Sequence, residues 1–356
     1  MSIETLVRPE IRNLNPYVTA RQESASVRLN ANELPWSPRD ADGVAPLNRY
    51  PDIRPVTLQT ALARLYGVAA TNVLVTRGSS EAIDLLIRAF CRAGRDSIVV
   101  TPPTFAMYRV YADIQGAGTI AAPLSAERDF RLDVAETLER CAPDTKLVFV
   151  CSPNNPTGNI VPQADIIELA RARSGQSVIV VDEAYAEFND EDSLAASVAG
   201  FDNLVVLRTL SKALGLAGAR CGAVIGAPPL IGWLNGMLAP YALATPVVDR
   251  VMEAMSAANL NRARRAVIEV VRERQRMTAA LDAMPSVVRV WPSRTNFLLA
   301  RFHDLAAVLR ALHERRILVR DFPHEPGLAG CVRITIGSRE ENDLLLAALR
   351  SGMEDG

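Results

Sequence analysis

Short runs rich in valine, isoleucine and leucine recur from about residue 72, and stretches with helical spacing of apolar positions separate most of them. Uninterrupted apolar runs are typical of strands buried on both faces, and strands that alternate with helices indicate a mostly parallel sheet. The pattern therefore predicts a large α/β unit. Its predicted strands are residues 72–75, 97–101, 119–124, 146–151, 177–182, 203–209 and 221–227, and the short run AYAEF after residue 182 is interpreted as helical.

The pattern changes after a long helical region at about 247–282. Four strand-like runs, VVRVW, NFLLARF, ILVR and CVRITIG, alternate with two helical stretches. Ser338 and Glu341 have the spacing of a capping box for the last helix. We expect an arm and crossing segment at 1–45, a large domain at 46–265 and a smaller α+β domain at 266–356.

Composition narrows the class of protein. The chain has 356 residues, 49% of them hydrophobic, and a net charge of −1, so no overall basicity favours nucleic acid or an anionic membrane surface. The five cysteines are scattered without a C-x-x-C pair, and the first residues lack the apolar core of a signal peptide. These features predict a reducing, cytoplasmic location.

The segment between Arg220 and Asp249 carries no charge over 28 residues. A membrane-spanning helix needs about 20 apolar residues with its backbone hydrogen bonds satisfied. Four prolines and four glycines interrupt this segment. We interpret it as a buried strand, a short helix and a loop beside an internal site.

Polar side chains gather where the predicted strands end, which is where ligands bind in parallel α/β sheets. Each one alone has an ordinary explanation as a helix cap, a turn residue or a solvated lysine. Together they offer an anion site, an aromatic ring, an amide, a carboxylate with a phenol, and an amine. They are Ser79, Ser80, Phe105, Asn155, Asp182, Tyr185, Thr209, Ser211 and Lys212.

One ligand would use all of these groups. Pyridoxal 5′-phosphate has a phosphate, an aromatic ring, a ring nitrogen that an aspartate keeps protonated, and an aldehyde that reacts with a lysine. Helix N-termini with free N–H groups suit the phosphate. The sequence therefore predicts pyridoxal 5′-phosphate as the cofactor.

The order NNPTG, VVDEAY and TLSKALGLAGARCG resembles the fold type I pyridoxal-phosphate aminotransferases. The flanking runs are most similar to the histidinol-phosphate aminotransferases among them. Those runs are NPYVTAR, LNANELP, NRYPD, TRGSSEAIDLLIRAFC, PPTFAMY, APYALATP, RTNFLLARF, ILVRD and VRITIG.

The resemblance implies roles for the residues at the strand ends. Lys212 would form the Schiff base and shuttle the proton, and burial would lower its pKa. Asp182 would pair with the pyridinium nitrogen, and Asn155 and Tyr185 would bind the ring O3′. Phe105 would stack on the ring, where many relatives have tyrosine. The phosphate would be held by Ser79, Ser80, Thr209, Ser211 and Arg220.

Further residues follow from the same resemblance. Tyr50 of NRYPD would reach the phosphate of the other subunit, which implies a two-fold homodimer. Arg333 would anchor the substrate, because a bidentate guanidinium suits both a carboxylate and a phosphate. Its expected partners for the substrate phosphate are Arg320 and Tyr17, and Asn32, with Asn30 close to it, would line the cleft where the arm crosses it.

Two patterns point to sites that we do not expect. GAGTIA at 116–121 fits a dinucleotide-binding fingerprint, but it follows a helix and leads into a strand, the reverse of the required context. The three histidines lack metal-binding spacing. We expect no metal.

The resemblance implies a homodimeric aminotransferase that moves an amino group between glutamate and imidazole-acetol phosphate, making L-histidinol phosphate. Three alternatives stay open at this point. They are an aromatic or broad-specificity aminotransferase, a threonine-phosphate decarboxylase on the same scaffold, and a non-catalytic cofactor-binding regulator.

Overall fold

A computed structural model describes residues 3–16, 27–37 and 47–351 of the chain. Its larger sheet has seven strands, and each begins within one residue of a predicted strand and ends within three. Their bounds are β1 Val73–Thr76, β2 Ser97–Val100, β3 Gly118–Ala121, β4 Thr145–Cys151, β5 Val178–Asp182, β6 Leu204–Thr209 and β7 Gly222–Ile225.

The strand order is β1-β7-β6-β5-β4-β2-β3. β7 pairs antiparallel with both β1 and β6, and every other pair is parallel. The remaining six strands therefore run in one direction and end at one edge of the sheet. This topology confirms the mostly parallel α/β sheet and brings the polar strand ends together.

Helices cover both faces of this sheet. Alternate residues of a strand face opposite sides, so Val148 and Val150 of β4 belong to one apolar core while Leu147 and Phe149 belong to the other. The α-helices described before residue 257 are α1 Pro9–Arg12, α2 Val56–Tyr66, α3 Gly78–Phe90, α4 Met107–Gln115, α5 Val134–Arg140, α6 Gln163–Ala172, α7 Pro228–Met237 and α8 Thr245–Ala254.

A second, antiparallel sheet has the order β10-β11-β9-β8. The Ser338 and Glu341 side chains each accept from the other residue's backbone N–H, at 3.2 and 2.7 Å, which confirms the capping box. The elements are α9 Ala257–Asp282, β8 Val287–Val290, β9 Phe297–Phe302, α10 Leu305–Glu314, β10 Arg320–Asp321, β11 Cys331–Thr335 and α11 Arg339–Ser351. The predicted domain boundary at 265/266 falls inside α9, and the division into domains stays a prediction.

The run AYAEF is not an α-helix. Residues Ala186–Phe188 form a single 3-10 turn, followed by the polar residues 189–193. A helix of one turn does not recover the cost of its own nucleation, so periodicity over five residues is too little to specify one.

The uncharged segment contains β7, the helix α7 and a loop, as expected. Within the described ranges, no helix is both long and apolar enough to cross a membrane. The GAGTIA run also has the expected context, because Gly116 ends α4 with a φ of 73° and Gly118 begins β3.

Candidate active site

A cavity of about 310 Å³ lies at the edge where the parallel strands end. All of the residues predicted from the strand ends line it, together with Arg220 and Arg333, which the family resemblance implied. They are Ser79, Ser80, Phe105, Asn155, Asp182, Tyr185, Thr209, Ser211, Lys212, Arg220 and Arg333. Three further lining residues, Cys151, Ala184 and Ala217, were not predicted.

One end of the cavity is a cradle for an anion. Helix α3 begins at Gly78, so the backbone N–H groups of Ser79 and Ser80 lie in its first turn, where they have no partner within the helix. Gly78 has a φ of 76°, and a Cβ atom there would come 2.9 Å from Arg220 Nη2. The positive φ favours glycine at this position, and the Arg220 guanidinium lies where a Cβ atom would come close.

The segment after β6 completes this cradle. Arg220 has a φ of 50° and donates to Ser211 Oγ at 3.5 Å and to the Ala217 carbonyl at 3.2 Å. Thr209 Oγ1 donates to Ser211 Oγ at 3.0 Å. Hydroxyl donors and one cation thus surround the N-terminus of α3.

The other end of the cavity holds a buried carboxylate. Asp182, the last residue of β5, is 2% exposed and accepts from Tyr108 Oη at 2.8 Å and from the Ala184 N–H at 3.1 Å. Burial raises its pKa to about 6, and the two hydrogen bonds oppose that rise. A cationic ring nitrogen beside Asp182 would offset this desolvation and keep the carboxylate charged.

Tyr108 was not predicted as a site residue. It lies in the first turn of α4, is fully buried, and stacks on Phe149 with ring centroids 4.7 Å apart. Its helical spacing is that of a core residue, and only the fold brings its hydroxyl to Asp182. Phe105 meets Tyr108 edge to face at 5.6 Å and presents its own ring to the cavity.

Lys212 lies between the two ends. Its Nζ is 5.7 Å from the centroid of the Tyr185 ring. Although the residue keeps an exposed surface, desolvation is the largest cause that lowers its pKa, ahead of repulsion by Arg333 and Arg220. A lowered pKa increases the fraction of neutral amine, the form that attacks a carbonyl or accepts a proton.

Asn155 links the two sheets. Arg333 of β11 donates to Asn155 Oδ1 and lies over the Phe297 ring, with 5.3 Å from its guanidinium carbon to the ring centroid. This contact orients the Asn155 amide and holds the arginine at the cavity.

The neighbouring Asn154 was also not predicted. Its side chain is buried, donates to the Pro103 carbonyl at 2.9 Å and to Thr157 Oγ1 at 2.6 Å, and accepts from Thr104 Oγ1 at 2.9 Å. These bonds connect the loops after β2 and β4, which carry Phe105 and Asn155.

Some predicted residues do not reach this cavity in the single chain. Arg320 is exposed and pairs with Arg333 in the ladder, where its charge contributes to lowering the pKa of Arg333. Tyr50 is half exposed and stacks on Tyr241 at 4.6 Å. Asn30 and Asn32 are also exposed. Tyr17 lies outside the described residues.

The residues present fit pyridoxal 5′-phosphate. The cradle supplies donors and a cation for a phosphate, Asp182 supplies a buried anion for a ring nitrogen, and Lys212 supplies an amine between them. Among the described residues, no cluster of three or more histidine, cysteine, aspartate or glutamate side chains could hold a metal.

The sequence model of the family "Aminotransferase class I and II" matches residues 13–349. The chain belongs to this family. It is 42% identical to a histidinol-phosphate aminotransferase from Pectobacterium atrosepticum over 98% of both chains. A second one, from Stenotrophomonas maltophilia, is 45% identical over 97% of this chain and 95% of the relative.

The fold of this aminotransferase also matches solved structures. A histidinol-phosphate aminotransferase from Sinorhizobium meliloti, in complex with pyridoxal 5′-phosphate, has a TM-score of 0.77 and 26% identity. The match covers 87% of this chain and 84% of that one. The fold type I assignment is therefore confirmed.

We predict that Asp182→Asn stabilises the cofactor-free protein above pH 6. The folded-state pKa is raised from 3.8 to about 6, so the folded protein holds an extra proton between these values and wild-type stability falls as pH rises through them. Asparagine carries no charge and does not show this loss. The free energy of unfolding of the variant minus that of the wild type is therefore expected to be about 1–3 kcal/mol larger at pH 8 than at acidic pH near the normal aspartate pKa. Urea unfolding at both pH values measures this change, and an equal difference at both would contradict it.

Proposed function

We propose that this enzyme transfers an amino group between L-histidinol phosphate and 2-oxoglutarate, with pyridoxal 5′-phosphate as cofactor, in L-histidine biosynthesis. The observation that carries the proposal is the identity of 42–45% to histidinol-phosphate aminotransferases over nearly the full chain. The convergence of anion cradle, carboxylate and amine at one cavity supports it.

The cofactor supplies a carbonyl that exchanges between amines and a ring that withdraws electrons from the carbon bearing the amino group. In our proposal Ser79, Ser80, Thr209, Ser211 and Arg220 hold its phosphate. Asp182 would hold the ring nitrogen protonated, Asn155 and Tyr185 would donate to the ring O3′, and Phe105 would cover one face of the ring.

Lys212 would hold the cofactor through Nζ and, once released from it, would accept the proton from the substrate carbon. Its lowered pKa favours the neutral amine, which can accept that proton. The charges of Arg333 and Arg220 contribute to this lowered pKa, because they disfavour the protonated form of Nζ. The same amine would then return the proton it had accepted.

Arg333 would bind the carboxylate of glutamate and the phosphate of the other substrate in turn, because its planar fork matches both anions. Arg320 lies next to it in the β10–β11 ladder and adds positive charge at that side. Tyr17 of the arm would complete the phosphate site, and Asn32 would line the cleft.

We propose that the enzyme is a homodimer with shared sites. Tyr50 stays outside its own chain's cavity and keeps half of its surface exposed, which suits a role at a partner's phosphate cradle. Large apolar side chains on the same segments are also exposed, namely Val27, Leu29, Trp36, Leu47 and Val56. A second copy would cover them.

The proposal also covers the division of the chain into domains and the location of the enzyme. The chain would divide into the arm at 1–45, the cofactor domain at 46–265 and the small domain at 266–356. We place the enzyme in the cytoplasm, where the five free thiols would stay reduced. The decarboxylase, the broad-specificity aminotransferase and the non-catalytic regulator are not favoured, because the chain matches histidinol-phosphate aminotransferases over nearly its whole length.

We predict that L-histidinol phosphate converts the bound cofactor much faster than aromatic amino acids do, and that glutamate, the amine of the other half-reaction, converts it as well. The reason is that Arg333 and its neighbours offer donors to a phosphate that aromatic amino acids lack. The measurement is loss of the cofactor's visible absorbance after mixing with L-histidinol phosphate, glutamate and a panel of aromatic amino acids. Fast conversion by aromatic amino acids with none by L-histidinol phosphate would overturn the substrate assignment.

We predict that Tyr50 acts in the partner's site. A chain with Tyr50→Ala, co-expressed with a chain carrying Lys212→Ala, forms heterodimers in which one site has both residues and is active. A chain carrying both changes, co-expressed with the wild type, forms heterodimers with no intact site. Activity of heterodimers isolated by two affinity tags decides the matter. If only the second heterodimer were active, Tyr50 would act within its own chain.

A further inference from the structure

A buried cluster of charges lies behind the active site. Successive side chains of a strand face opposite sides of the sheet. Asp182 and Thr209 face the cavity, whereas their neighbours Glu183 and Arg208 meet on the other side. The proposed mechanism assigns no role to this cluster.

The contacts within the cluster are close. Arg208 Nη1 lies 2.9 Å from Glu183 Oε2, and the two side chains are 7% and 6% exposed. Arg208 Nη2 lies 2.6 Å from Glu187 Oε1, and its guanidinium carbon is 4.8 Å from the centroid of the Tyr66 ring. Glu183 also accepts from the Leu194 N–H at 2.8 Å and from Ser193 Oγ.

Burying these charged groups costs desolvation free energy. Each buried ion loses its hydration, and apolar residues of similar volume often give equal or better stability. Two carboxylates and one guanidinium leave a net charge of −1, and Arg208 Nε and Glu187 Oε2 have no hydrogen-bond partner among the described residues. The cluster therefore calls for an explanation other than stability.

The position of the cluster beside the ends of β5 and β6 suggests a role for it. The Glu183 N–H donates to the Leu207 carbonyl at 3.0 Å, just beyond the last paired residues of β5 and β6, Asp182 and Leu207. Beyond this point the segment after β5 continues to Ala184, and the segment after β6 continues to Ser211 and Lys212. The Arg208–Glu183 ion pair joins these two segments where the pairing of β5 with β6 ends.

We propose that Arg208 and Glu183 are a positioning pair that sets the separation between the Asp182 carboxylate and the anion cradle at Thr209 and Ser211. A ligand with a ring nitrogen and a phosphate at fixed separation contacts both ends only when that separation is correct. This inference rests on the proposed cofactor role of the cavity, although not on the identity of the amino substrate.

Glu187 provides a matched comparison. It contacts the same guanidinium but belongs to the 3-10 turn Ala186–Phe188, and its side chain is 24% exposed. Glu183→Gln and Glu187→Gln remove the same charge from the same cluster. Only the first weakens the link between the ends of β5 and β6.

The experiment is titration of cofactor-free protein with pyridoxal 5′-phosphate, with no amino substrate present. Arg208→Met is expected to weaken cofactor binding about tenfold and Glu183→Gln about fivefold, whereas Glu187→Gln stays within about twofold of wild type. Arg208→Lys, which keeps the charge, is expected to recover part of the loss. The pH dependence of the bound cofactor's absorbance is expected to shift in Arg208→Met and Glu183→Gln only.

Arg173→Met controls for loss of a buried arginine. Arg173 is 8% exposed and donates to Ser177 Oγ at 3.1 and 2.9 Å, at the opposite end of β5 from Asp182. This variant is expected to lose thermal stability but keep wild-type cofactor affinity. If Arg208→Met does not fold, the comparison of Glu183→Gln with Glu187→Gln decides.

Equal cofactor affinity in the two glutamine variants, or an equal loss of affinity in Arg173→Met, would overturn the positioning role. A wild-type protein that bound no pyridoxal 5′-phosphate would instead overturn the proposed function. Wild-type binding without conversion of L-histidinol phosphate would overturn only the substrate assignment.

Discussion

The site is organised around the buried carboxylate of Asp182. A carboxylate 2% exposed is costly unless something compensates its charge, and in the free protein two hydrogen bonds do so only in part, since its pKa stays raised to about 6. Lys212 is a second charged group with a shifted pKa, lowered by desolvation and by its arginine neighbours. A ligand with a cationic ring nitrogen at one end would compensate the charge of Asp182, and an electrophilic carbon near Lys212 would react with its neutral amine.

Topology makes this arrangement possible. All strands of the large sheet except β7 run in one direction, so the loops that follow them share one edge. The N-terminus of α3 meets Arg220 at one side of the cavity, and β5 ends on Asp182 at the other. The antiparallel second sheet adds Arg333, held by Asn155 and Phe297, so the cavity combines residues from both sheets.

Much of this could be predicted from the sequence. The seven strands follow from continuous β-branched runs, and most of the cavity residues from their positions at strand ends, whereas Arg220 and Arg333 were expected from the resemblance. Tyr108, Asn154 and Arg208 could not be found in this way, because a helical tyrosine, a loop asparagine and a strand arginine come to lie behind the cavity residues only through tertiary contacts. The prediction of a helix at AYAEF was wrong, because five residues are too few to establish helical periodicity. The roles of Arg320, Asn32, Tyr17 and Tyr50 rest on resemblance and stay proposals.

The central claim is that Lys212 attaches the cofactor between the Asp182 carboxylate and the anion cradle. The chain has only two lysines, Lys212 in the cavity and Lys146 near the amino end of β4. The most direct measurement is borohydride reduction of the cofactor-loaded protein, followed by peptide mass spectrometry. We expect a phosphopyridoxyl group on the peptide containing Lys212 and none on that containing Lys146. A label on Lys146 alone, or on neither peptide, would contradict it.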